Sequence, residues 1–426
     1  MEKAQLLSIL VLFQAFICPS KSQSFVGVNY GEVADNLPPA STTASLLQST
    51  TISKLRLYGA DHAIIQSLAG TGISLVLGVP NSDVPSLASD PSAAASWAAA
   101  NVLPFVPASS ISAVSVGNEA LNSGDPSLPG SLLPAMQNLR AAFAAAGIKV
   151  TTVHSMAVMA QSDPPSSGAF HADLAGQLAG LVGFLREAES PFMVNPYPFF
   201  AYRSDPRPET LAFCLFQPNA GRVDPASGMT YNNMFDAQVD AVRAALDGLG
   251  FPEVEIVVAE TGWPYRGDPE EVGTTVENAM AFNGNLVAHL RSMAGTPRMP
   301  GRPVETYIFA LYDEDLKGGP TSERSFGLYR ADGTSNYDAG LAKSPSTATS
   351  SPPGSTSSSS SIGLVQPVGS CTSAETAQQT AEECFPSGAG ESSPAPYGMR
   401  FLFLVYGAAM LLLTKAYNCK LLLLLG

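Results

Sequence analysis

Two glutamates follow apolar runs of the chain in contexts that could support acid–base chemistry. Glu119 closes the stretch Ser115-Val-Gly-Asn-Glu119, and Glu260 opens the stretch Glu260-Thr-Gly-Trp-Pro264. A carboxyl group directly after a buried strand is partly desolvated, which raises its pKa, and a nearby like charge raises that pKa further. One of two such carboxyls can then hold a proton while the other is ionised, which is the division of labour that glycoside hydrolysis requires.

Either glutamate by itself has a simpler interpretation. A single Glu at a strand end more often caps a helix or pairs with a basic residue such as Arg56. Arg56 should face inward if its strand alternates, and there we expect it to orient a carboxylate rather than to touch a sugar. Two such glutamates, one beside Asn118 and the other followed by Thr-Gly-Trp, favour a shared site.

The elements that would position this pair alternate between strands and helices. Helices are predicted where apolar residues share one face, at Ser131–Ala146, Asn232–Leu249 and Thr275–Met293. Several of the strands are almost continuously apolar, as parallel strands covered on both faces are. The predicted strands are Phe25–Tyr30, Ile52–Tyr58, Ile73–Val79, Ile111–Gly117, Lys149–Val153, Phe192–Tyr197, Val254–Ala259 and Thr306–Tyr312. This alternation predicts an α/β fold, a (β/α)8 TIM barrel.

A barrel would place both glutamates at one mouth, because its active site lies at the carboxyl ends of its strands. Glu119 and Glu260 follow the fourth and seventh predicted strands. A doubly wound sheet is the alternative fold. Its dinucleotide-binding form usually has a turn with three glycines, and Gly70-Thr-Gly72 lacks the third, with Leu75 in its place. We therefore predict no cofactor.

The composition predicts a large buried core and disfavours some classes of partner. Of 426 residues, 45% are hydrophobic and 14% are charged, against about 25% charged in typical soluble proteins. Disorder across the whole chain is excluded, since disordered chains are charge-rich and poor in apolar residues. The 22 Lys+Arg and 36 Asp+Glu leave a formal charge of −14, which disfavours nucleic acid as a partner. Such a charge suits a secreted protein that acts on a neutral polymer.

The amino-terminal end is predicted to be a processing signal. In residues 1–24, Glu2 and Lys3 precede a mostly apolar run and then small and polar residues, the pattern of a secretory signal peptide. Residues 25–343 would form the barrel. Residues 344–398 would form a linker and tail, which begin with a disordered Ser/Thr/Pro-rich stalk. We expect a secreted protein in the cell wall or at the outer face of the plasma membrane.

Residues 399–426 are predicted to be the signal for a glycosylphosphatidylinositol (GPI) anchor. The apolar run Phe401–Leu413 is shorter than the about 20 residues that span ~30 Å of hydrocarbon. Small residues, a spacer and a terminal hydrophobic tail are the order typical of an anchor signal, which would attach the protein to the plasma membrane. Lys415 and Lys420 interrupt the tail, so a tail-anchored span and a terminus without a membrane role stay open.

The cysteines and histidines do not predict a metal site. Outside the two ends, Cys371 and Cys384 could close a small loop, with Cys214 free and buried. No pair has CxxC spacing and the four histidines are scattered, so metal binding is not expected. No feature requires a partner subunit, and we expect a monomer.

Several further motifs stand in a fixed order along the chain. They are Val26-Gly-Val-Asn-Tyr-Gly31, Lys54-Leu-Arg-Leu-Tyr58, Val116-Gly-Asn-Glu119, Leu133-Pro-Ala-Met136, Asn195-Pro-Tyr-Pro-Phe-Phe-Ala-Tyr202, Phe235-Asp-Ala-Gln-Val-Asp-Ala-Val242, Glu260-Thr-Gly-Trp-Pro264, Tyr312-Asp-Glu-Asp-Leu-Lys317 and Gly319-Pro-Thr-Ser-Glu-Arg324. Through them, Phe25 to Leu341 resembles the plant endo-1,3-β-glucanases of glycoside hydrolase family 17.

The resemblance implies a retaining hydrolase of 1,3-β-glucan. Glu119 would match the general acid/base and Glu260 the nucleophile, with their carboxyls about 5–5.5 Å apart so that a covalent intermediate can form. Asn118 would hydrogen-bond the 2-hydroxyl of the sugar. Glu314 and Lys317 match residues that line the cleft in the family, although a solvated acidic loop is the simpler interpretation.

Aromatic residues at or just beyond strand ends are predicted to contact sugar rings. An aromatic face suits the apolar C–H face of glucose, although each ring could instead pack at the rim of the barrel. The candidates are Tyr30, Tyr58, Tyr197, Phe200 and Trp263. Tyr265 stands where the family commonly has serine, a difference that bears on subsite preference more than on catalysis.

The leading hypothesis is endo-hydrolysis of callose-type 1,3-β-glucan by two glutamates. Cleavage of mixed-linkage 1,3;1,4-β-glucan and transglycosylation would use the same residues, so they remain open. A non-catalytic glucan-binding protein would be expected to have lost one glutamate, whereas both are present. Cys371 and Cys384 are too few for the cysteine-rich carbohydrate-binding module that often follows the barrel, so we predict none.

Overall fold

The predicted strands form a closed barrel. A computed structural model describes residues 25–343. Its barrel strands are β1 (Val26–Tyr30), β2 (Lys54–Leu57), β3 (Ser74–Val79), β4 (Ser110–Asn118), β5 (Lys149–Ser155), β6 (Phe192–Asn195), β7 (Ile256–Thr261) and β8 (Glu305–Ile308). They close in the order β1-β8-β7-β6-β5-β4-β3-β2, and all neighbours are parallel. The predicted (β/α)8 barrel is confirmed.

Several predictions lie outside the described residues. They are the signal peptide (1–24), the linker and tail (344–398), the anchor signal (399–426) and the pairing of Cys371 with Cys384. None of the helices between residues 25 and 343 combines the length and apolar character that a membrane crossing requires.

Ten α-helices of the described chain connect the strands. They are α1 (Ala40–Ser49), α2 (His62–Ser67), α3 (Val84–Ser89), α4 (Pro91–Asn101), α5 (Leu128–Ala142), α6 (Ala175–Glu187), α7 (Pro198–Ser204), α8 (Pro208–Cys214), α9 (Met234–Gly248) and α10 (Val276–Arg291). The three predicted helices are confirmed as α5, α9 and α10, with shifted ends. Helix α9 begins after Asn233 and α10 after Thr275, because these side chains accept N–H groups of the first turn, at 2.7 and 3.2 Å.

Apolar side chains fill the inside of the barrel. Successive side chains of a strand point to opposite faces, so one set faces the axis and the other faces the helices. The axial set is buried and comprises Val76, Ala113, Val153, Met193, Val257, Ala259 and Tyr307. A packed interior leaves the ends of the strands as the place for a polar cleft.

The strand ends differ from the prediction in ways that bear on the site. Strand β7 continues through Glu260 to Thr261 rather than ending at Ala259, and all of its residues are buried. Strand β8 ends at Ile308, four residues before the predicted end. The register shifts between Ser115 and Asn118 in β4 and between Val258 and Thr261 in β7. Such irregularities redirect side chains near a strand end, and both occur beside the two glutamates.

Candidate active site

The backbone at the end of β4 is held in an unusual conformation that presents Glu119. Gly117 and Glu119 have φ values of 69° and 52°, a left-handed region that costs a non-glycine residue about 1–2 kcal/mol. The Asn81 side chain holds the segment by accepting from Asn118 N at 2.9 Å and donating to Asn118 O at 3.0 Å. Glu119 N donates to Val153 O at 2.9 Å. These bonds keep the strained backbone in place, and such strain is typical of functional sites.

Glu260 is buried and held at both carboxylate oxygens. Arg56 Nη1 donates to Oε1 at 2.8 Å, and the Tyr197 hydroxyl donates to Oε2 at 3.0 Å. Arg56 is itself buried, and its Nη2 donates to Asn118 Oδ1 at 2.7 Å. The expectation that Arg56 orients a carboxylate is therefore confirmed, and Glu260 is fixed in direction before any ligand is bound.

Glu119 is partly buried and differs from Glu260 in its surroundings. Burial raises the pKa of the Glu119 carboxyl first, and the negative charge of Glu260 raises it further. A hydrogen bond from Asn195 and the charges of Arg56 and Lys317 oppose that increase. The environment thus favours a proton on Glu119 more than exposure to water would, as a general acid requires.

Both glutamates line one open cleft of about 700 Å³. The structure brings eight of the ten predicted site residues to this cleft, namely Tyr58, Asn118, Glu119, Tyr197, Phe200, Glu260, Glu314 and Lys317. Phe309 and Phe326 also line it. The shared mouth follows from the closed barrel, which directs the ends of β4 and β7 to the same side.

Glu314 and Lys317 form part of the cleft wall after β8. Glu314 is buried, its Oε1 accepts Val33 N at 3.1 Å, and its Oε2 lies 3.6 Å from Lys317 Nζ. Lys317 Nζ lies 4.3 Å from the centroid of the Phe309 ring. A Cβ at Gly31 would collide with the Glu314 carboxyl group. For Glu314, the alternative of a solvated acidic loop is therefore wrong.

Tyr30 and Trp263 do not provide sugar-stacking surfaces. Tyr30 is 4% exposed and packs edge-on against Tyr312. Trp263 is 0% exposed, and its Nε1 donates to Gly273 O at 2.8 Å. Aromatic neighbours enclose the indole, namely Phe199, Tyr202 and Phe282. The prediction of ring contact with sugar is wrong for both, because neighbouring side chains cover their faces.

Other aromatic rings line the cleft, and they range from the exposed Phe200 to the buried Phe309 and Phe326. Phe200 is 41% exposed and its ring centroid lies 5.3 Å from that of Tyr197. Phe309 and Phe326, which sequence reasoning missed, pack edge-on at 5.4 Å. A signal was available for both, since Phe309 lies in the predicted eighth strand and Phe326 closely follows the motif that ends at Arg324.

Asn195 and Tyr265 have roles that the sequence did not reveal. Asn195 Nδ2 donates to Glu119 Oε1 at 2.7 Å. The only sequence signal was its place at a strand end in the motif Asn195-Pro-Tyr. Tyr265 donates its hydroxyl to Asp313 Oδ2 at 2.5 Å, so it joins the loops after β7 and β8 and is not part of the cleft lining.

The remaining predicted features were a buried cysteine and the absence of a metal site. Cys214 is a free, buried thiol, and burial raises its pKa to about 12. Within residues 25–343, no three His, Cys, Asp or Glu side chains are grouped in a way that could hold a metal ion.

Comparison with known proteins identifies the family. The model of glycosyl hydrolases family 17 matches residues 26–340. Glucan endo-1,3-beta-glucosidase 7 of Arabidopsis thaliana is 62% identical over 354 residues, which cover 82% of this chain and 70% of the relative. Glucan endo-1,3-beta-D-glucosidase of Olea europaea is 53% identical over 346 residues, covering 80% and 75%. A solved structure of a beta-1,3-glucanase and allergen of Cryptomeria japonica pollen superposes with a TM-score of 0.70 at 39% identity, over 74% of this chain and 98% of that one. The chain belongs to glycosyl hydrolases family 17.

Proposed function

We propose that this protein cleaves internal 1,3-β-glucosidic linkages of 1,3-β-glucan with retention of configuration. The observation that carries the proposal is the unequal carboxyl pair in one cleft. Glu260 is held at both oxygens by Arg56 and Tyr197, while Glu119 has a raised pKa. The names of the relatives, which are glucan endo-1,3-β-glucosidases, support the substrate and the reaction.

In the first step, Glu119 protonates the glycosidic oxygen as the bond from that oxygen to C1 breaks. A carboxylate oxygen of Glu260 forms a bond to C1, and the electron pair of the broken bond stays on the departing sugar oxygen. Asn118 holds the 2-hydroxyl, and the bond from Arg56 to its Oδ1 leaves its Nδ2 to donate to the sugar.

In the second step, Glu119 acts as the base. It takes a proton from a water molecule, whose oxygen bonds to C1 while the bond from C1 to Glu260 breaks. The free enzyme is regenerated with Glu119 protonated and Glu260 ionised. The acid form of Glu119 that starts the cycle is the form that its surroundings favour.

The shape of the cleft supports attack within a chain. The cleft is open, and Phe200 and Tyr197 supply aromatic surface to its lining. Glu314 and Lys317 supply polar groups to the same lining. An open cleft of this kind admits a polysaccharide that continues in both directions from the scissile bond.

The cellular placement is a separate part of the proposal. The patterns of residues 1–24 and 399–426 support secretion and a GPI anchor at the outer face of the plasma membrane or in the cell wall. Release of the full chain from plant cells by a phosphatidylinositol-specific phospholipase tests the anchor. Retention of all the protein on the cells would contradict it. Sedimentation of the released protein tests the expected monomer.

The experiment for the reaction uses purified protein and linear 1,3-β-glucan. Early products should be oligosaccharides of mixed length, and proton NMR should show the β-anomer forming first. Glucose as the sole early product would contradict endo attack, and an initial α-anomer would contradict retention. Products longer than the starting oligosaccharides would indicate transglycosylation, and equal cleavage of mixed-linkage glucan would indicate the other open alternative.

A further inference from the structure

A buried amide contacts the acid/base candidate from the neighbouring part of the barrel. Asn195 is the last residue of β6 and is 3% exposed. Its Nδ2 lies 2.7 Å from Glu119 Oε1. Strand β5 lies between β4 and β6 in the ring, so the contact reaches across one strand. Arg56 and Tyr197, which donate to Glu260, take no part in this contact.

The two ends of the Asn195 amide are not equivalent at this position. The Oδ1 atom is buried and has no hydrogen-bond partner among the residues that the structure describes. An unpaired buried carbonyl reduces stability, so the hydrogen bond that the Asn195 amide does make is the one from its N–H end. With the amide reversed, Oδ1 would face the Glu119 carboxylate, and two lone-pair-bearing oxygens would repel each other whenever Glu119 is ionised. The N–H end is therefore the end that suits Glu119.

An N–H group can donate but cannot accept. As long as the contact is kept, Glu119 Oε1 acts as an acceptor. The carbonyl oxygen of a carboxyl group accepts more strongly than its hydroxyl oxygen, so the contact favours a proton on Oε2. The two oxygens of the carboxyl group are thus no longer interchangeable.

We propose that Asn195 is a positioning residue that reserves Glu119 Oε2 as the single oxygen through which the catalytic proton passes. The inference rests on the proposed hydrolase function. In the first step, the proton leaves Oε2 for the glycosidic oxygen as that oxygen takes the electron pair of its bond to C1. In the second step, a water proton arrives at Oε2 while the water oxygen bonds to C1 and the bond to Glu260 breaks.

The same hydrogen bond tunes when Glu119 is protonated. Burial and the charge of Glu260 raise the pKa of Glu119, whereas the Asn195 bond, Arg56 and Lys317 lower it. A donor stabilises the ionised form, so its loss should raise this pKa. Because kcat/KM for glucan requires the protonated acid, the alkaline limb of its pH profile should then move to higher pH.

The test compares Asn195→Ala with Asn283→Ala. Asn283 is an equally buried asparagine whose Nδ2 donates one hydrogen bond, to Tyr337 at 2.8 Å, and whose Oδ1 also lacks a partner within the described chain. It lies on α10, away from the cleft. The substrates are linear 1,3-β-glucan and a dinitrophenyl β-laminaribioside, whose leaving group needs little protonation.

Asn195→Ala should lower kcat/KM for glucan about 10- to 100-fold, part of the 10²–10⁴-fold that acid catalysis supplies. The aryl substrate should lose less than about threefold, and the alkaline limb should move upward. Asn283→Ala should change neither the kcat/KM values for the two substrates nor the position of the alkaline limb, even if it lowers the melting temperature. Equal losses on both substrates with an unmoved limb would overturn the proposal.

Asn195→Asp keeps the test decisive if the alanine variant does not fold. The substitution is nearly isosteric, replaces the donor with an acceptor and adds a negative charge beside Glu119. The alkaline limb should move further upward than in the alanine variant, and a wild-type profile would overturn the proposal. Retaining hydrolysis by the unaltered protein is measured in parallel, so a failure of the proposed function is distinguished from a failure of the role of Asn195.

Discussion

Arg56 joins Glu260 to Asn118 by donating from its two terminal nitrogens, at 2.8 and 2.7 Å. The guanidinium is 1% exposed and also lies over the Tyr58 ring, 4.6 Å from its centroid. One side chain from β2 therefore sets the spacing between a residue on β7 and a residue on β4. Arginine can donate from two terminal nitrogens held in one plane, whereas lysine has a single terminal nitrogen.

Arg56→Lys should lower kcat for glucan by about 10²-fold or more, since one ammonium cannot keep both contacts and proper orientation contributes strongly to rate. Unfolding should also become easier, because lysine keeps the charge but leaves one of the two buried acceptors without its donor, which typically costs about 1–3 kcal/mol. Arg243→Lys is the control: Arg243 is also buried, and it donates to Asp247, Val254 and Phe251. Loss of stability without loss of kcat is expected there. An Arg56→Lys enzyme with normal kcat would contradict the linking role.

Glu260→Ala should reduce kcat by about 10⁴- to 10⁶-fold, in the range seen when an enzyme loses its nucleophile. Glucan binding should be retained, since the aromatic and polar walls of the cleft are unchanged. Steady-state kinetics and calorimetric titration with 1,3-β-glucan oligosaccharides measure the two effects. Appreciable remaining turnover would exclude Glu260 as the nucleophile.

Glu119→Ala should affect substrates unequally. Hydrolysis of glucan should fall about 10²- to 10⁴-fold because the leaving sugar needs a proton. Formation of the covalent intermediate from a dinitrophenyl glycoside should be nearly normal, since that leaving group departs as an anion. Pre-steady-state release of dinitrophenol measures this step, and a matching loss on both substrates would refute the acid/base assignment.

Substitution of Trp263 should affect the stability of the fold, and substitution of Phe200 should affect glucan binding. Trp263→Phe removes a buried hydrogen bond to Gly273 and should destabilise the fold by about 1–3 kcal/mol, with KM for glucan unchanged. Phe200→Ala should raise KM for long oligosaccharides while leaving the melting temperature nearly unchanged, since the ring is 41% exposed. A raised KM for glucan in Trp263→Phe, with an unchanged KM in Phe200→Ala, would instead indicate that Trp263 binds sugar.

His154 should make the fold sensitive to acid. It is buried, stacks on Phe192 at 4.7 Å, and both ring nitrogens lack partners among residues 25–343. Burial lowers its pKa to about 4, below the ~6.5 of an unfolded chain. The unfolded state therefore binds the extra proton first, and stability should fall by about 3 kcal/mol between pH 6.5 and pH 4.

Urea unfolding of the wild type and of His154→Leu across this pH range measures the effect of that histidine. The leucine variant should lose less stability on acidification than the wild type, whereas His62→Leu, at an exposed site, should behave as the wild type does. Parallel curves for His154→Leu and the wild type would show that His154 is not the sensitive group.

The barrel and the meeting of Glu119 with Glu260 followed from local patterns. Apolar runs of strand length define parallel strands, and the carboxyl ends of such strands must share one mouth once the ring closes. Two glutamates placed directly after the fourth and seventh runs were therefore predictable as a pair. The helix starts were less predictable. Asn233 and Thr275 were included in the predicted helices, whereas in the structure they cap α9 and α10.

Side-chain depth and contacts between distant residues depended on tertiary structure. Trp263 follows a strand end as Tyr197 does, yet side chains of α7 and α10 cover the indole, so position in a motif did not predict exposure. Asn195 and Glu119 are 76 residues apart, and only the order of strands around the ring brings the amide to the carboxyl. Residue type and spacing thus determined which groups could perform the chemistry. Tertiary structure decided which of these groups reach the cleft and in what orientation. It did so through ring closure, the register shifts at the ends of β4 and β7, and the packing of loops over the rim. These features depend on contacts between elements that are remote in sequence.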